Sequence, residues 1–417
     1  MNSFCPNLFN HVMNDSFGVY KACCMHVPDN TNGIAEGISV ERPIEEFWNN
    51  PKLVQQRVKS IQGEYIRECE VCYKAEQNGG TSLRKDLVKE YENNKQFIEK
   101  VQRTIQNNGV MLDFPSSVEF RVGNLCNLKC RMCQPQDSNL INNEYKEIIS
   151  STSDESIISL LPTIENPVDM DTDAFIQSVK DNIVKVDIMR FSGGEPLINK
   201  SFYKLLDFFV ESGHSRDIDL RINTNMTKLT EETLHKFLKF KNVNIDFSID
   251  GIEDTYEYIR YPMKWSIINK KIEMLESFLK KFNPKINVYV NFTVQTYNIL
   301  HMLDFIDYFI PKGFLPILHP VHHPPYLSIK NTPDSLKPIL SEKLKNKIQE
   351  LNSLENDKVY LPWVCEKITA LLNLIEVPSD PSEIKNFLKF TKALDGKRNQ
   401  NFMLISPEIN KHFLELA

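Results

Sequence analysis

The sequence predicts an α/β fold in which parallel strands alternate with helices to form an open, partial barrel. Between residues 116 and 320, short β-rich runs alternate with helical patterns. Such alternation implies parallel pairing through helical crossovers. The strand-like runs number six, which suits an open barrel better than a closed one of eight strands. A third observation concerns cysteines: eight of the nine lie before residue 134, which favours metal sites.

Each predicted strand is a short run rich in β-branched and aromatic residues. The six strands are 118–122, 186–191, 218–223, 243–248, 286–294 and 315–319. Apolar residues at helical spacing predict helices at 139–149, 202–211, 231–240, 264–281 and 300–309. We therefore predict a partial (β/α)6 TIM-like barrel over residues 116–320, with its functional residues at the carboxyl ends of the strands.

Three segments flank the predicted barrel. Residues 1–82 are rich in cysteine and turn-forming residues and form a small N-terminal domain. Residues 83–115 form a linker, in which the apolar spacing predicts one amphipathic helix over 83–107. Residues 321–417 form a mostly helical C-terminal extension.

The overall composition is that of a globular protein, with 41% hydrophobic and 25% charged residues. The net charge of −6 gives no reason to expect a nucleic-acid partner. No apolar run reaches the roughly 18 residues that span a bilayer, so we expect no membrane association. The first residues lack the basic start and apolar core of a signal peptide, so we expect a cytoplasmic protein.

The clearest functional signal is the run Cys126-Asn-Leu-Lys-Cys130-Arg-Met-Cys133, directly after the first predicted barrel strand. A [4Fe–4S] cluster usually takes four cysteine ligands, so three thiolates leave one iron open to another ligand. Zinc is the competing metal, but a structural zinc site needs four ligands, and the next cysteine or histidine is His214. Three free thiols in a loop are the remaining alternative.

This spacing resembles the signature of the radical S-adenosylmethionine (SAM) superfamily. The resemblance implies that the amino and carboxylate groups of SAM chelate the open iron. It also implies that one electron from the cluster breaks the C5′–S bond, leaving methionine and a 5′-deoxyadenosyl radical that abstracts hydrogen. A reducing partner such as flavodoxin or ferredoxin would supply the electron. The protein would place, shield and tune these groups.

A glycine-rich turn, Phe191-Ser-Gly193-Gly194-Glu195-Pro196, ends the second predicted strand. Glycines allow a ligand to approach the backbone closely. Taken alone, an ordinary turn is the better interpretation. One strand after the cysteine run, however, it resembles the family's motif for the methionine amino group. The resemblance implies that Gly193, Gly194 and Glu195 bind SAM.

Polar residues follow the third and fourth predicted strands. Asn225, in Asn223-Thr224-Asn225, is similar to a Thr-Asn element of many relatives, although a strand-ending turn explains it equally well. Ser248 and Arg260 resemble the pair that holds the carboxylate or ribose of SAM, and a guanidinium suits a carboxylate. Asp250 has two open interpretations, a site role or the cap of the following helix.

Met132, directly before the third cysteine, departs from the family pattern. Many relatives carry an aromatic residue there, in contact with adenine. A methionine fills the same space as a soft apolar group. The resemblance therefore still implies that Met132 contacts the cofactor.

The N-terminal cysteines have a pattern of their own. Cys5 is followed by twelve residues, Gly18, four residues and Cys23, and later by Cys69-Glu-Val-Cys72. This arrangement resembles the auxiliary-cluster modules called SPASM and twitch domains, which implies a second [4Fe–4S] cluster on Cys5, Cys23, Cys69 and Cys72. Cys24 is an alternative second ligand, and a four-cysteine zinc site is the chemical alternative. In better-known relatives the module follows the barrel, whereas here it precedes it.

The substrate is predicted by analogy only. Relatives with auxiliary clusters often modify peptides or protein side chains, so a peptide is the first hypothesis. Dehydrogenation or another modification of a small metabolite is the alternative within enzymes. A zinc- or cluster-binding structural or regulatory protein is the alternative outside them.

Overall fold

The structure is a computed structural model that describes residues 3–27, 38–77, 82–165, 171–282, 284–354 and 360–414. Its strands are β1 His11–Asn14, β2 Tyr20–Lys21, β3 Ser117–Arg121, β4 Ile188–Ser192, β5 Asp219–Thr224, β6 Asn242–Ser248, β7 Ile286–Val294 and β8 Leu315–Pro320. They form one sheet in the order β2-β1-β3-β4-β5-β6-β7-β8. The sheet is mostly parallel, which confirms the predicted α/β class and the open, partial barrel.

Strands β3 to β8 are the six strands predicted from the sequence, and β7 has the predicted bounds. Two further strands, β1 and β2, come from the N-terminal segment, for which the sequence predicts short strands without fixing their bounds. β1 pairs in parallel with β3, with His11 opposite Ser117 and Met13 opposite Glu119, and β2 pairs with β1 in the antiparallel direction. All four residues of β1 are buried, so the strand shows no alternation that a sequence pattern can detect.

The helices follow the predicted alternation, and the extension after the barrel is helical. Their bounds are α1 Asn7–Asn10, α2 Ile44–Trp48, α3 Pro51–Gln62, α4 Glu70–Gln77, α5 Leu83–Tyr91, α6 Lys95–Gln106, α7 Asn139–Ser150, α8 Glu155–Ile158, α9 Asp173–Asp181, α10 Lys200–Glu211, α11 Glu231–Phe237, α12 Glu253–Ile259, α13 Trp265–Phe282, α14 Met302–Phe309, α15 Lys337–Ser353, α16 Leu361–Ile375, α17 Pro381–Arg398, α18 Phe402–Ile405 and α19 Pro407–Leu414. Within the part of the chain that the structure describes, no helix has the length and apolar character needed to cross a membrane.

The single helix expected over 83–107 is wrong, because the structure has two helices there, α5 and α6. The break has a local cause. The Asn94 side chain accepts a hydrogen bond from the backbone N–H of Phe97 at 3.0 Å and so caps the start of α6. An N-terminal cap of this kind favours a new helix over continuation of the old one.

The chain divides into two compact units, which are described separately. The first comprises Met1–Asn124, Pro167–Ile222 and His235–Val243, and the second comprises Leu125–Asn166, Asn223–Leu234 and Asn244–Ala417. The domain boundaries drawn from the sequence differ from this division and stay a prediction. The N-terminal cysteines and the glycine-rich turn lie in the first unit, and the Cys126 to Cys133 run lies in the second.

In the first unit, one face of the sheet packs against helices. Phe120 on β3 stacks on Phe175 of α9 with ring centroids 4.6 Å apart, and Phe191 on β4 meets Phe202 of α10 edge-on at 4.8 Å. All four rings are almost completely buried. Because side chains alternate along a strand, the residues between these aromatics face the other side of the sheet.

Candidate functional site

The glycine-rich turn of the first unit closes against the backbone that follows β3. Gly194 donates its N–H to the carbonyl of Gly123 at 2.7 Å. Gly193 has a φ of +99°, and a Cβ there would lie 2.9 Å from both the Gly123 carbonyl oxygen and the Val122 nitrogen. Only glycine fits this backbone conformation and this close approach. The backbone conformation and packing therefore require glycine at position 193, independently of its predicted role in binding SAM.

Glu195 is completely buried in the same unit. Its carboxylate accepts a hydrogen bond from the N–H of Leu197 at 2.9 Å, which caps the turn at Pro196–Ile198. A buried carboxylate is costly unless it is paired or hydrogen-bonded, so its position is constrained by these contacts. The predicted interaction of Glu195 with the amino group of SAM stays a prediction.

The three cysteines of the second unit lie in one short loop. Cys130 is buried, and Cys126 and Cys133 are half-buried. The Cys133 thiol donates a hydrogen bond to Cys130, which lowers the pKa of Cys130 against its burial. The same hydrogen bond, followed by burial, raises the pKa of Cys133 well above its usual value. Cys130 is thus the thiol that ionises most readily in this pair.

Two side chains of the second unit point hydrogen-bond donors at these sulfurs. The Nη1 of Arg260 lies 3.7 Å from the Sγ of Cys130, and the Nδ2 of Asn225 lies 3.9 Å from the Sγ of Cys126. Donors at thiolate sulfurs are among the groups that tune iron–sulfur clusters. Three thiols with such donors have the chemistry that a cluster with one open iron requires. Within the described residues, however, no three His, Cys, Asp or Glu side chains are already in a metal-holding arrangement.

Arg260 is held in place by Asp250. Its Nε donates to Asp250 Oδ2 at 2.8 Å, and its Nη2 lies 2.5 Å from the same oxygen. Burial lowers the pKa of Arg260, but the charges of Asp250, Cys130 and Cys133 together outweigh it and the net shift is upward, so this guanidinium is always charged. The other oxygen of Asp250 accepts the N–H of Thr293 at 2.6 Å. Asp250 therefore orients Arg260, and the helix-cap alternative is wrong, since α12 has no side-chain cap.

The remaining predicted residues of the second unit also occupy specific positions. Asn225 donates to the side-chain oxygen of Asn127 at 3.0 Å, and the Ser248 hydroxyl donates to Asn223 at 2.9 Å. Met132 is half-buried. Sequence reasoning missed Asn127, although its position directly after Cys126 in the cysteine run was an available signal.

The backbone between the cysteines is docked on the end of α12. The N–H of Lys129 donates to the carbonyl of Tyr261 at 2.7 Å, and the N–H of Arg131 donates to that of Ile259 at 3.0 Å. These two bonds fix the loop on both sides of Cys130. Such support by a regular element positions ligands more precisely than a free loop does.

The four N-terminal cysteines expected to bind a second cluster are all buried within the first unit. Burial, with a smaller contribution from Cys72, raises the pKa of Cys5 to about 11 and that of Cys69 to about 12. Burial also raises the pKa of Cys23, to which Cys5 and Cys69 contribute. The four thiols are therefore electrostatic neighbours, whereas Cys24 is exposed. Their donor set fits a cluster or zinc equally well.

Comparison with known families decides the identity of the barrel. Residues 120–306 match the family model described as the Radical SAM superfamily. This part of the chain belongs to that superfamily. The radical SAM family implies a [4Fe–4S] cluster and SAM, and the Cys126 to Cys133 run lies inside the matched residues.

One curated relative resembles part of this chain at low identity. An uncharacterized protein of Methanocaldococcus jannaschii is 26% identical over 209 residues, which are 49% of this chain and 61% of that relative. The chain thus matches less than two thirds of the length of that relative.

The solved structures that match this chain do so with low sequence identity and low TM-scores. SuiB of Streptococcus suis bound to S-adenosylmethionine has 16% identity and a TM-score of 0.36, and the match covers 62% of this chain and 53% of that one. Native anSMEcpe with bound AdoMet has 20% identity and a TM-score of 0.38, with 60% and 62% covered. The family assignment rests on the matched residues 120–306 alone.

Proposed function

We propose that this chain is an enzyme that reductively cleaves SAM at a [4Fe–4S] cluster held by Cys126, Cys130 and Cys133. When bound, the cluster supplies the electron that breaks the C5′–S bond, so that a 5′-deoxyadenosyl radical abstracts hydrogen from an organic substrate. One observation carries the proposal: the three thiols lie in a single docked loop of a radical SAM domain, with Arg260 and Asn225 directed at two of the sulfurs.

Arg260 supports the thiolate form of Cys130. Its positive charge lies beside a buried sulfur, where the charge is weakly screened and favours the ionised ligand. Asp250 holds two nitrogens of the guanidinium, which leaves Nη1 directed at the loop. We propose that Arg260, together with Ser248, also binds the carboxylate or ribose of SAM.

The other predicted SAM residues carry groups that suit particular parts of the SAM molecule. Backbone groups of Gly193 and Gly194, with the Glu195 carboxylate, suit an ammonium group, and Asn225 and Met132 suit the adenosine part. These assignments are supported by the resemblance of each motif to the family pattern. Each role is tested by SAM affinity in the corresponding variant.

A second [4Fe–4S] cluster on Cys5, Cys23, Cys69 and Cys72 belongs to the same proposal, with zinc as the alternative. It is supported by the burial and mutual electrostatic influence of these thiols. Four cysteine ligands leave no open iron, so this cluster would transfer an electron or support the substrate site. Flavodoxin or ferredoxin would supply the reducing electron to the enzyme.

The proposed substrate is a peptide or protein side chain, by analogy with auxiliary-cluster enzymes. Modification of a small metabolite is the alternative enzyme activity. A structural or regulatory metal protein is the alternative without catalysis. We propose the radical enzyme because the cysteine run and the glycine-rich turn are both complete.

The test is anaerobic. The protein is reconstituted with iron and sulfide, given SAM and dithionite, and assayed for 5′-deoxyadenosine by mass spectrometry. The Cys126→Ala/Cys130→Ala/Cys133→Ala variant is expected to lose the product, and Cys365→Ala, outside both cysteine groups, is expected to keep it. Bound zinc in place of iron would contradict the proposal.

A further inference from the structure

The face of the first unit's sheet opposite Phe120 and Phe191 carries a row of charges, and residues of helix α5 line the same region. Glu119, Arg190 and Arg221 are register partners on the neighbouring strands β3, β4 and β5. Neighbouring strands lie about 4.8 Å apart, so these side chains start close together on one face. Arg190 and Arg221 are thus adjacent in the row, and Glu119 lies beside Arg190.

This row lines a cavity of about 120 Å³. The cavity is also lined by His11 of β1 and by Cys23 and Cys24 of the turn that follows β2. A cavity of this size has room for a small polar group. Because Cys23 is a proposed ligand of the second cluster, a group bound here lies next to that cluster's cysteines.

One guanidinium of the cavity, that of Arg221, has no carboxylate partner in the described part of the chain. Glu119 accepts a hydrogen bond from the Ser192 hydroxyl at 2.6 Å and lies 4.0 Å from His11. Arg221 forms no ion pair with any side chain in the described part of the chain, and its Nε is buried without a hydrogen-bond partner there. The other carboxylate on the wall, Glu90, is exposed, so water screens its charge.

His11 does not add a charge of its own. Burial lowers the pKa of His11 to about 4, with Arg190 and Arg221 acting in the same direction and Glu119 opposing them. The imidazole is therefore neutral near pH 7. Arg221 therefore stays on the cavity wall as a charged group without an ion pair, and a guanidinium in that position is a common carboxylate-binding device.

We propose that this cavity is a subsite for a carboxylate group of a peptide substrate, held by Arg221 and Arg190. The choice of a peptide as the substrate and the radical chemistry rest on the proposed function. The binding of an anion in this cavity does not depend on it. The proposal goes beyond the cluster and SAM sites, because none of the residues assigned to SAM lines this cavity.

Cys24 provides a direct test, because it is exposed and lines the same cavity. The reconstituted protein is treated briefly with iodoacetate, which is anionic, or with iodoacetamide, which is neutral. Alkylation of Cys24 is measured by peptide mass spectrometry. The ratio of the two rates cancels the thiolate fraction and reports the local potential alone. We expect Arg221→Gln to lower this ratio by about tenfold at low salt, and Arg190→Gln to lower it similarly.

Arg216→Gln is the matched control, since this arginine belongs to the same unit and its side chain is 82% exposed. It is expected to leave the ratio unchanged. An equal ratio in wild type and Arg221→Gln would overturn the proposal, as would a Cys24 that reacts with neither reagent.

The source of the carboxylate is tested by protection. A short peptide with one aspartate is expected to slow alkylation of Cys24, and the same peptide with asparagine is not. Protection by acetate but not by the aspartyl peptide would overturn the peptide assignment. Because alkylation does not require SAM cleavage, a failure here is distinct from a failure to form 5′-deoxyadenosine.

Discussion

The guanidinium of Arg131 lies 3.6 Å above the ring of Tyr258 and pairs with Asp395 of α17. Arg131 is completely buried and stands between two proposed cluster ligands, Cys130 and Cys133. A second buried pair, Glu144 with Arg398 at 2.6 Å, joins α7 to the end of α17. The C-terminal extension therefore holds the loop that carries Cys130 and Cys133 in the second unit.

Replacing Asp395 with alanine is expected to lower the free energy of unfolding by about 3–5 kcal/mol, because it leaves the buried Arg131 charge unpaired. The iron content of the reconstituted protein is expected to fall with it. Lys397→Ala removes a more exposed pair on the same helix, Lys397 with Glu147, and is expected to cost about 1 kcal/mol or less. Denaturant unfolding and iron analysis check both. Equal losses in the two variants would contradict this role of Asp395.

Gly193→Ala and Gly213→Ala separate backbone strain from close packing. Both glycines have positive φ, +99° and +77°, but a Cβ at Gly213 would meet nothing within 4 Å. We expect Gly213→Ala to cost about 1–2 kcal/mol from strain alone. Gly193→Ala is expected to cost more, because its Cβ would lie 2.9 Å from backbone atoms. Thermal unfolding of the two variants measures the difference in stability. Identical unfolding midpoints would show that the turn at Gly193 shifts to make room for the added Cβ.

Arg260→Gln is expected to reduce SAM cleavage or cluster affinity about 10–100-fold, the usual effect of losing a group that supports a metal ligand. The charge beside Cys130 disappears, while the neutral side chain retains a donor. The signal of the reduced cluster in electron paramagnetic resonance is expected to change as well. Lys264→Gln, in an exposed pair with Glu257, is the control and should leave that spectrum unchanged. An unaltered spectrum in Arg260→Gln would argue against contact with the cluster.

Cys23→Ala and Cys24→Ala distinguish the two neighbouring thiols. With two four-iron clusters the wild type would bind about eight irons. We expect Cys23→Ala to lose about half of them and Cys24→Ala to lose none, since Cys23 lies in the buried group and Cys24 is exposed. Iron and zinc analysis of both variants decides the point. Loss of metal in Cys24→Ala alone would reverse the assignment.

His11 is expected to make stability depend on pH. The pKa of His11 falls from 6.5 to about 4 on folding. Between these two pH values the unfolded chain binds a proton at His11 and the folded protein does not. Stability is therefore lost as pH falls below the unfolded pKa, by about 2 kcal/mol between pH 7 and pH 5. His11→Gln removes this dependence while keeping a polar side chain. Denaturant unfolding of both proteins at the two pH values measures the difference, and parallel changes would contradict it.

Local patterns predicted much of this protein. The bounds of β3 to β8, the cysteine run and the glycine-rich turn follow from periodicity and spacing within a few residues, because each depends on near neighbours in the chain. The match of residues 120–306 to the Radical SAM superfamily model confirms the family that the cysteine spacing indicated, and the roles of the individual residues stay a proposal.

Contacts between distant residues were decided by the tertiary structure. His11 pairs with Ser117 across 106 positions, and Arg131 meets Asp395 across 264. A four-residue strand that is buried throughout has no alternation, and a lone arginine does not indicate which carboxylate it will meet. The charged row of Glu119, Arg190 and Arg221 likewise exists only once the strand register is set, since register places distant residues side by side.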